Sequence, residues 1–193
     1  MTEDLILYTV EDHVATITFN RPENQNTISG PMLAKLSQLL IESDADEEIR
    51  AIVITGTGKF FCAGLDLRGS DITDNLTKEN KKPANLDLRN TPPTVLHNLD
   101  TPTIAAINGS AAGYGMDLAL GCDIRIMTDG AKLAAAFTSR GVVPESGGTW
   151  ILPRLIGWSK ASEIIFTGKT LSAKESEDMG LVSKVVNSNE IYE

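Results

Sequence analysis

Thr103-Ile-Ala-Ala-Ile-Asn-Gly-Ser-Ala-Ala-Gly-Tyr-Gly-Met-Asp-Leu-Ala-Leu-Gly-Cys-Asp-Ile-Arg-Ile-Met-Thr128 contains one complete strand–helix–strand unit. Residues 103–108 form a short apolar run of the kind found in strands buried on both faces. Residues 113–120 read as a helix opened by glycines, and 124–128 return to an apolar, β-branched strand. A strand, a crossover helix and a second strand in this order predict parallel pairing.

The same rhythm extends in both directions. Residues 5–10 and 14–19, separated by Glu11-Asp12-His13, read as a hairpin. Met32, Leu33, Leu36, Leu39 and Leu40 fall at helical spacing, with Ser29 as the expected N-cap and Pro31 in the first turn. Residues 51–55 are a buried strand ending at Gly56, and the polar stretch 71–98 reads as a mobile insert with weak helical periodicity near its end. Downstream, 148–155 and 160–167 are expected helices, and Ser172-Ala-Lys-Glu175 is a capping box opening a third that stops at Gly180. A strand over 181–186 closes the pattern. The fold class is α/β, a largely parallel sheet flanked by helices, and 193 residues fit a single domain.

Composition narrows the function. Lys and Arg number 17 against 26 Asp and Glu, a net charge of -9, which disfavours a nucleic-acid partner. An anionic ligand needs a local basic patch, for which Arg21, Lys59, Arg68, Lys81 and Lys82 are candidates. The acidic N-terminus and its short apolar run resemble neither a secretory signal nor a membrane span, so a cytoplasmic location and no membrane partner are expected. Cys62 and Cys122 read as buried thiols, and Cys, His and carboxylates show no metal-ligand spacing. His13 and His97 are expected at the surface, Ser110 and Ser146 lack a histidine partner, and Trp150 and Trp158 read as packing or interface aromatics.

Three segments carry candidate chemistry: residues 59–67, residues 105–118, and Val142-Val-Pro-Glu-Ser-Gly-Gly148. Two Gly-containing loops that each leave a strand of one parallel sheet can aim adjacent N–H groups at one point beyond the strands' carboxyl ends. At this point the sequence resembles the crotonase, or enoyl-CoA hydratase/isomerase, superfamily. Asn20-Arg21-Pro22-Glu23, Phe61-Cys-Ala-Gly-Leu-Asp66, Ala106-Ile-Asn-Gly109, Asp117-Leu-Ala-Leu with Cys122-Asp-Ile-Arg125, and Gly168 through Gly180-Leu-Val stand in the family's order across essentially the whole chain.

The resemblance implies a crotonase-type ββα spiral with largely parallel sheets flanked by helices, and an acyl-CoA thioester substrate, with no cofactor beyond the coenzyme A moiety and no metal. It implies that the backbone N–H groups of Leu65 and Tyr114 form an oxyanion hole, and that Arg21, Gln25, Ala63, Leu65, Asp66 and Leu67 border the coenzyme. Arg21 reads equally as a structural turn residue, and Asp66 as a cap for the segment that follows. Tyr114 replaces the family's usual glycine, so its ring either lines the acyl pocket or partly closes it. A typical hydratase carries two glutamates; here Asp117 stands at the first place and Phe137, an acyl-pocket residue, at the second. Glu145 occupies a position that carries a carboxylate in some family isomerases and dehydratases, and is the expected principal base, with Asp117 a second acid/base or water-orienting group. The alternatives to double-bond isomerisation are hydration or dehydration by Asp117 and Glu145, and a non-catalytic acyl-CoA-binding protein. The family also implies a homo-oligomer, trimer or hexamer, built through C-terminal helices, much of which this chain is expected to lack.

Overall fold

Ala15, Ile17 and Phe19 are buried and alternate with half-buried Val14, Thr16 and Thr18, and this period of two makes Val14–Phe19 (β2) the strand from which the main sheet grows. The computed structural model describes residues 4–66, 91–144 and 146–192. Ile6–Glu11 (β1) pairs antiparallel with β2 around Asp12 and His13, whose φ angles of 47° and 67° match the left-handed turn that a tight hairpin favours. Ala51–Gly56 (β3), Thr103–Ile107 (β5), Ile124–Thr128 (β7) and Lys184–Val186 (β10) then add in parallel, giving the six-stranded order β1-β2-β3-β5-β7-β10 with β1 at an edge.

The family resemblance implies more than one sheet, but the strands of the second are not marked individually in the sequence. Phe60–Cys62 (β4), Ser110–Ala112 (β6), Lys132–Ala134 (β8) and Thr170–Ser172 (β9) form a four-stranded sheet in that order, parallel except for the last pair. Six described helices connect and cover the sheets: Gly30–Asp44 (α1), Pro92–Asn98 (α2), Tyr114–Gly121 (α3), Gly148–Ile156 (α4), Trp158–Thr167 (α5) and Ala173–Asp178 (α6). Met32, Leu36 and Leu40 of α1 belong to one core cluster with Ile17, Phe19, Ile52, Ile54 and Ile107 of the main sheet. Among the described residues no helix is long and apolar enough to cross a membrane.

Most expected elements are present, with one informative difference. The strand expected over 181–186 is confined to Lys184–Val186, because the N–H groups of Leu181 and Val182 both return to the carbonyl of Ser176 at 2.8 and 3.3 Å. Those two residues end α6 instead of extending a sheet. The capping box does open α6: Ser172 Oγ accepts from the Glu175 N–H, and Glu175 Oε2 accepts from the Ser172 N–H. Of the expected insert, 71–90 lies outside the described residues, and its end forms α2.

Ser29 holds the N-cap position of α1 with extended backbone, but its hydroxyl makes no cap bond and Oγ is buried without a hydrogen-bond partner. A hydroxyl that is desolvated and unpaired opposes folding. Ser29→Ala is therefore expected to raise stability by about 1 kcal/mol. A working side-chain cap would give the opposite sign, a loss of about 1 kcal/mol, and urea denaturation distinguishes the two.

Candidate active site

The first loop leaves β4 at Cys62 and is stitched to the segment after the hairpin. Ala63 N–H donates to the Gln25 carbonyl at 3.1 Å, Ile28 N–H to the Gly64 carbonyl at 2.9 Å, and Asp66 N–H to the Ile28 carbonyl at 2.9 Å. This is a parallel bridge between Ile28 and Leu65. In such a bridge the residue flanked by both bonds turns its own N–H to the other side. The Leu65 N–H therefore faces away from Ile28. Gly64 has a φ of 103°, and a β-carbon there would lie 3.1 Å from the Ala112 carbonyl oxygen and 3.7 Å from the backbone nitrogen of Tyr114.

The second loop is thus in contact with the first. Gly113 precedes α3 with a φ of 53° and donates to the Ala134 carbonyl at 3.0 Å, so β8 sets the start of the helix. Tyr114 is the first helical residue, and its N–H lies outside the i→i−4 ladder at the positive end of the helix dipole. The fit is close: a β-carbon on Gly115 would stand 2.2 Å from the carbonyl oxygen of Cys62. Leu65 and Tyr114 are brought side by side by this backbone contact.

Two side-chain amides and an ion pair hold the loops. Asn26, fully buried with a φ of 54°, donates to the carbonyls of Thr57 and Phe60 at 2.9 and 2.6 Å and accepts from the Arg21 N–H at 2.9 Å. Asn108 accepts from the Gly56 N–H at 3.0 Å and donates to the Gly58 carbonyl at 3.1 Å. Arg21 donates to the Thr27 carbonyl at 2.8 Å and to Asp66 Oδ2 at 3.0 Å, with the two charged side chains 15% and 13% exposed. Their charges brace the Asn20–Thr27 turn against the first loop.

Asp117 lies in the first turn of α3 and is 2% exposed. Its Oδ2 accepts from the Ser146 hydroxyl at 2.7 Å and from the Gly148 N–H at 3.2 Å, at the start of α4. A β-carbon at Gly148 would lie 2.3 Å from Oδ1, so only glycine lets the helix approach this closely. Phe137 is 5% exposed, with Cε1 4.0 Å from where a β-carbon on Gly113 would stand. It provides an apolar wall beneath the start of α3. A cavity of about 650 Å³ between β1 and α1, lined in part by Tyr8, Lys35 and Glu42, shares no residue with this site.

The family model for enoyl-CoA hydratase/isomerase matches residues 9–193. The chain belongs to that family. The Bacillus subtilis protein YngF, named for enoyl-CoA hydratases/isomerases, is 44% identical over 184 residues, which cover 94% of this chain and 69% of the relative. The 1,2-epoxyphenylacetyl-CoA isomerase of Escherichia coli is 38% identical over 184 residues, 95% of this chain and 70% of that enzyme. Among solved structures, PA4980 of Pseudomonas aeruginosa superposes with a TM-score of 0.86 at 34% identity, covering 100% of this chain and 81% of that one. A Geobacillus kaustophilus enoyl-CoA hydratase subunit gives 0.86 at 34% identity, covering 98% and 71%. The protein is an acyl-CoA enzyme with the crotonase fold.

Within this crotonase enzyme, Leu65, Tyr114, Asp117 and Phe137 surround the junction of the two loops, whereas Arg21 and Asp66 are engaged with each other and the Gln25 carbonyl with Ala63. The Tyr114 side chain is 8% exposed and belongs to the main core cluster. Glu145, Leu67, Arg68, Lys81 and Lys82 lie outside the described residues. His13 Nδ1 lies 2.7 Å from the Glu48 carbonyl oxygen at the surface, and exposed His97 packs edge-on against Trp150 at 5.0 Å. Sequence reasoning missed Asn26, Asn108 and the Ser146–Asp117 bond. The Asn108-Gly109 doublet marked a tight turn, but nothing local marked Ser146, whose partner lies 29 residues earlier.

Burial pushes the Cys62 thiol up to about 12, opposed by the Gly64 N–H, which donates to Sγ at 3.4 Å. Cys122 is likewise raised to about 12 by burial. Both are neutral near pH 7 and neither is a nucleophile there. Iodoacetamide at pH 8 is expected to leave both unmodified in the native protein and to alkylate both in urea, as read by intact mass. The unfolded thiols ionise near the ordinary value of 9.0 while the folded ones do not, so these groups lower stability as pH rises from 9 toward 12. Gly115→Ala is expected to cost about 1–3 kcal/mol by overpacking against Cys62. Exposed Gly30, with open space around its missing β-carbon, is the control, and Gly30→Ala is expected to stabilise by about 0.4–1 kcal/mol in the same urea titration.

Proposed function

We propose that this enzyme moves a double bond within an enoyl-CoA thioester, with Glu145 as the base that takes a proton from one carbon and returns it to another. Removing that proton drives electron density onto the thioester oxygen. The N–H groups of Leu65 and Tyr114, on two loops in backbone contact, are suited to hold the resulting oxyanion. The observation that carries the reading is Phe137: an apolar ring fills the place of the second hydratase glutamate, leaving no proton carrier there. Double-bond migration needs a single base, whereas syn addition of water needs an acid and a base together. A relative at 38% identity is named as an isomerase of 1,2-epoxyphenylacetyl-CoA, a conversion that likewise adds no water.

Hydration or dehydration by Asp117 and Glu145 is the second reading, favoured by the buried Asp117 carboxylate and by relatives named as hydratases. In either case the chemistry draws on no cofactor beyond the coenzyme A of the substrate. We also infer a homo-oligomer, trimer or hexamer, which the outward-facing Trp158 and Phe166 on α5, 74% and 73% exposed, support as surfaces to be buried between subunits.

The test is incubation with 2-enoyl-, 3-enoyl- and 3-hydroxyacyl-CoA esters in deuterated water, followed by mass spectrometry. Deuterium uptake with bond migration is expected, reduced by roughly 100-fold or more in Glu145→Gln. A gain of water that disappears in both Glu145→Gln and Asp117→Asn overturns isomerisation in favour of hydration.

A further inference from the structure

Gly147 holds the N-cap position of α4 and has no side chain with which to cap the helix. The cap comes from another helix. Oδ2 of Asp117, in α3, accepts from the Gly148 N–H at 3.2 Å, and the buried Ser146 hydroxyl donates to the same oxygen at 2.7 Å. A carboxylate at this end of α4 is also favoured by the helix dipole. The backbone is shaped for the approach: Gly147 has a φ of 100°, and Gly148 has no room for a β-carbon beside Oδ1. Helix α4 is itself anchored, because Leu152 and Ile156 are buried in the main core cluster.

The backbone of Asp117 has a second task. Its N–H donates to the Gly113 carbonyl at 3.0 Å, the first rung of α3. In a planar trans peptide the carbonyl and the following N–H point in opposite directions. The bond that fixes the Gly113 carbonyl therefore fixes the direction of the Tyr114 N–H, and the same residue is clamped to α4 through its side chain. We propose that Asp117 is a positioning residue: held by Ser146 and Gly148, it keeps the first turn of α3 in place so that the Tyr114 N–H stays aimed at the thioester oxygen. The proposal rests on the reading of Leu65 and Tyr114 as oxyanion donors. It asks no proton transfer of Asp117. A proton carrier needs an ionisable group, whereas a clamp needs only an acceptor oxygen.

The test uses the full chain and acetoacetyl-CoA, whose enolate shares its charge with the thioester oxygen and absorbs in the near ultraviolet. The enolate-to-ketone ratio of the bound ester reads oxyanion stabilisation without any turnover. Losing an oxyanion donor outright is worth roughly 100- to 1,000-fold. A donor kept but misaimed is expected to lower the ratio about tenfold in Ser146→Ala, and further in Asp117→Ala. Asp117→Asn, which keeps an acceptor oxygen, should recover most of what Asp117→Ala loses. Affinity for butyryl-CoA, which carries no enolate charge, should change by less than about threefold. An unchanged ratio in Ser146→Ala, an Asp117→Asn as defective as Asp117→Ala, or an equal loss of butyryl-CoA affinity overturns the proposal and leaves the oxyanion reading standing. A wild-type ratio no higher than that of the ester in free solution overturns both. Should Asp117→Ala not fold, Ser146→Ala, which removes a single buried oxygen, carries the decision alone.

Discussion

The close approach of α3 to the end of β4 is the constraint on which the rest of this fold depends. Helix and strand belong to different parts of the chain, and both present backbone to the contact: the first turn of α3 at Gly115 meets the carbonyl of Cys62. Backbone against backbone tolerates no side chain, so the distance is set by atoms that every sequence shares. Two N–H donors on adjacent segments thereby acquire a fixed separation, the geometry on which the proposed oxyanion hole depends. The small second sheet makes the contact possible, because β4, β6 and β8 run parallel and deliver their carboxyl ends to one place.

Around this contact the interior is polar where loops meet and apolar where elements pack. Asn26, Asn108 and the Arg21–Asp66 pair satisfy carbonyls and amides of irregular backbone that no ladder serves. Arg125 plays the same part further away: it donates to the carbonyl of Leu181 at 2.7 Å and to that of Cys122, fastening the end of α3 to the turn before β10. Burial lowers the Arg125 pKa, and a guanidinium in this setting is held by carbonyl oxygens instead of by a carboxylate. Loops anchored in this way have their backbone polar groups satisfied, the support that the proposed base and oxyanion site need.

The parts of the fold that were legible in the sequence are those whose signal is long or local. The hairpin, α1 and the α6 capping box each display a full period or a complete four-residue motif. The strands of the second sheet were invisible because three-residue strands are too short to show alternation, and Phe60–Cys62 looks like any apolar approach to a glycine. Ser29 shows the limit of a positional rule: the residue type and backbone are those of an N-cap, but the hydroxyl is buried. The loops around Leu65 and Tyr114 were found through ordered motifs, whereas Ser146 was dismissed for lacking a histidine when its partner was a carboxylate. Long-range side-chain bonds leave no periodic trace in one sequence.

Among the described residues strand β1 has a neighbour on one side only, and an unpaired edge offers a row of backbone groups to any other strand. Leu7 and Val10 along it are 40% and 47% exposed, which adds to the attraction. Asp4 precedes the strand, while Glu11 and Asp12 stand at its far end. A second copy laid alongside in either direction would bring acid against acid at both ends. The charges that look incidental in the hairpin therefore guard an open sheet edge against self-association into extended β-structure, a protection that neutralising Glu11 and Asp12 would remove.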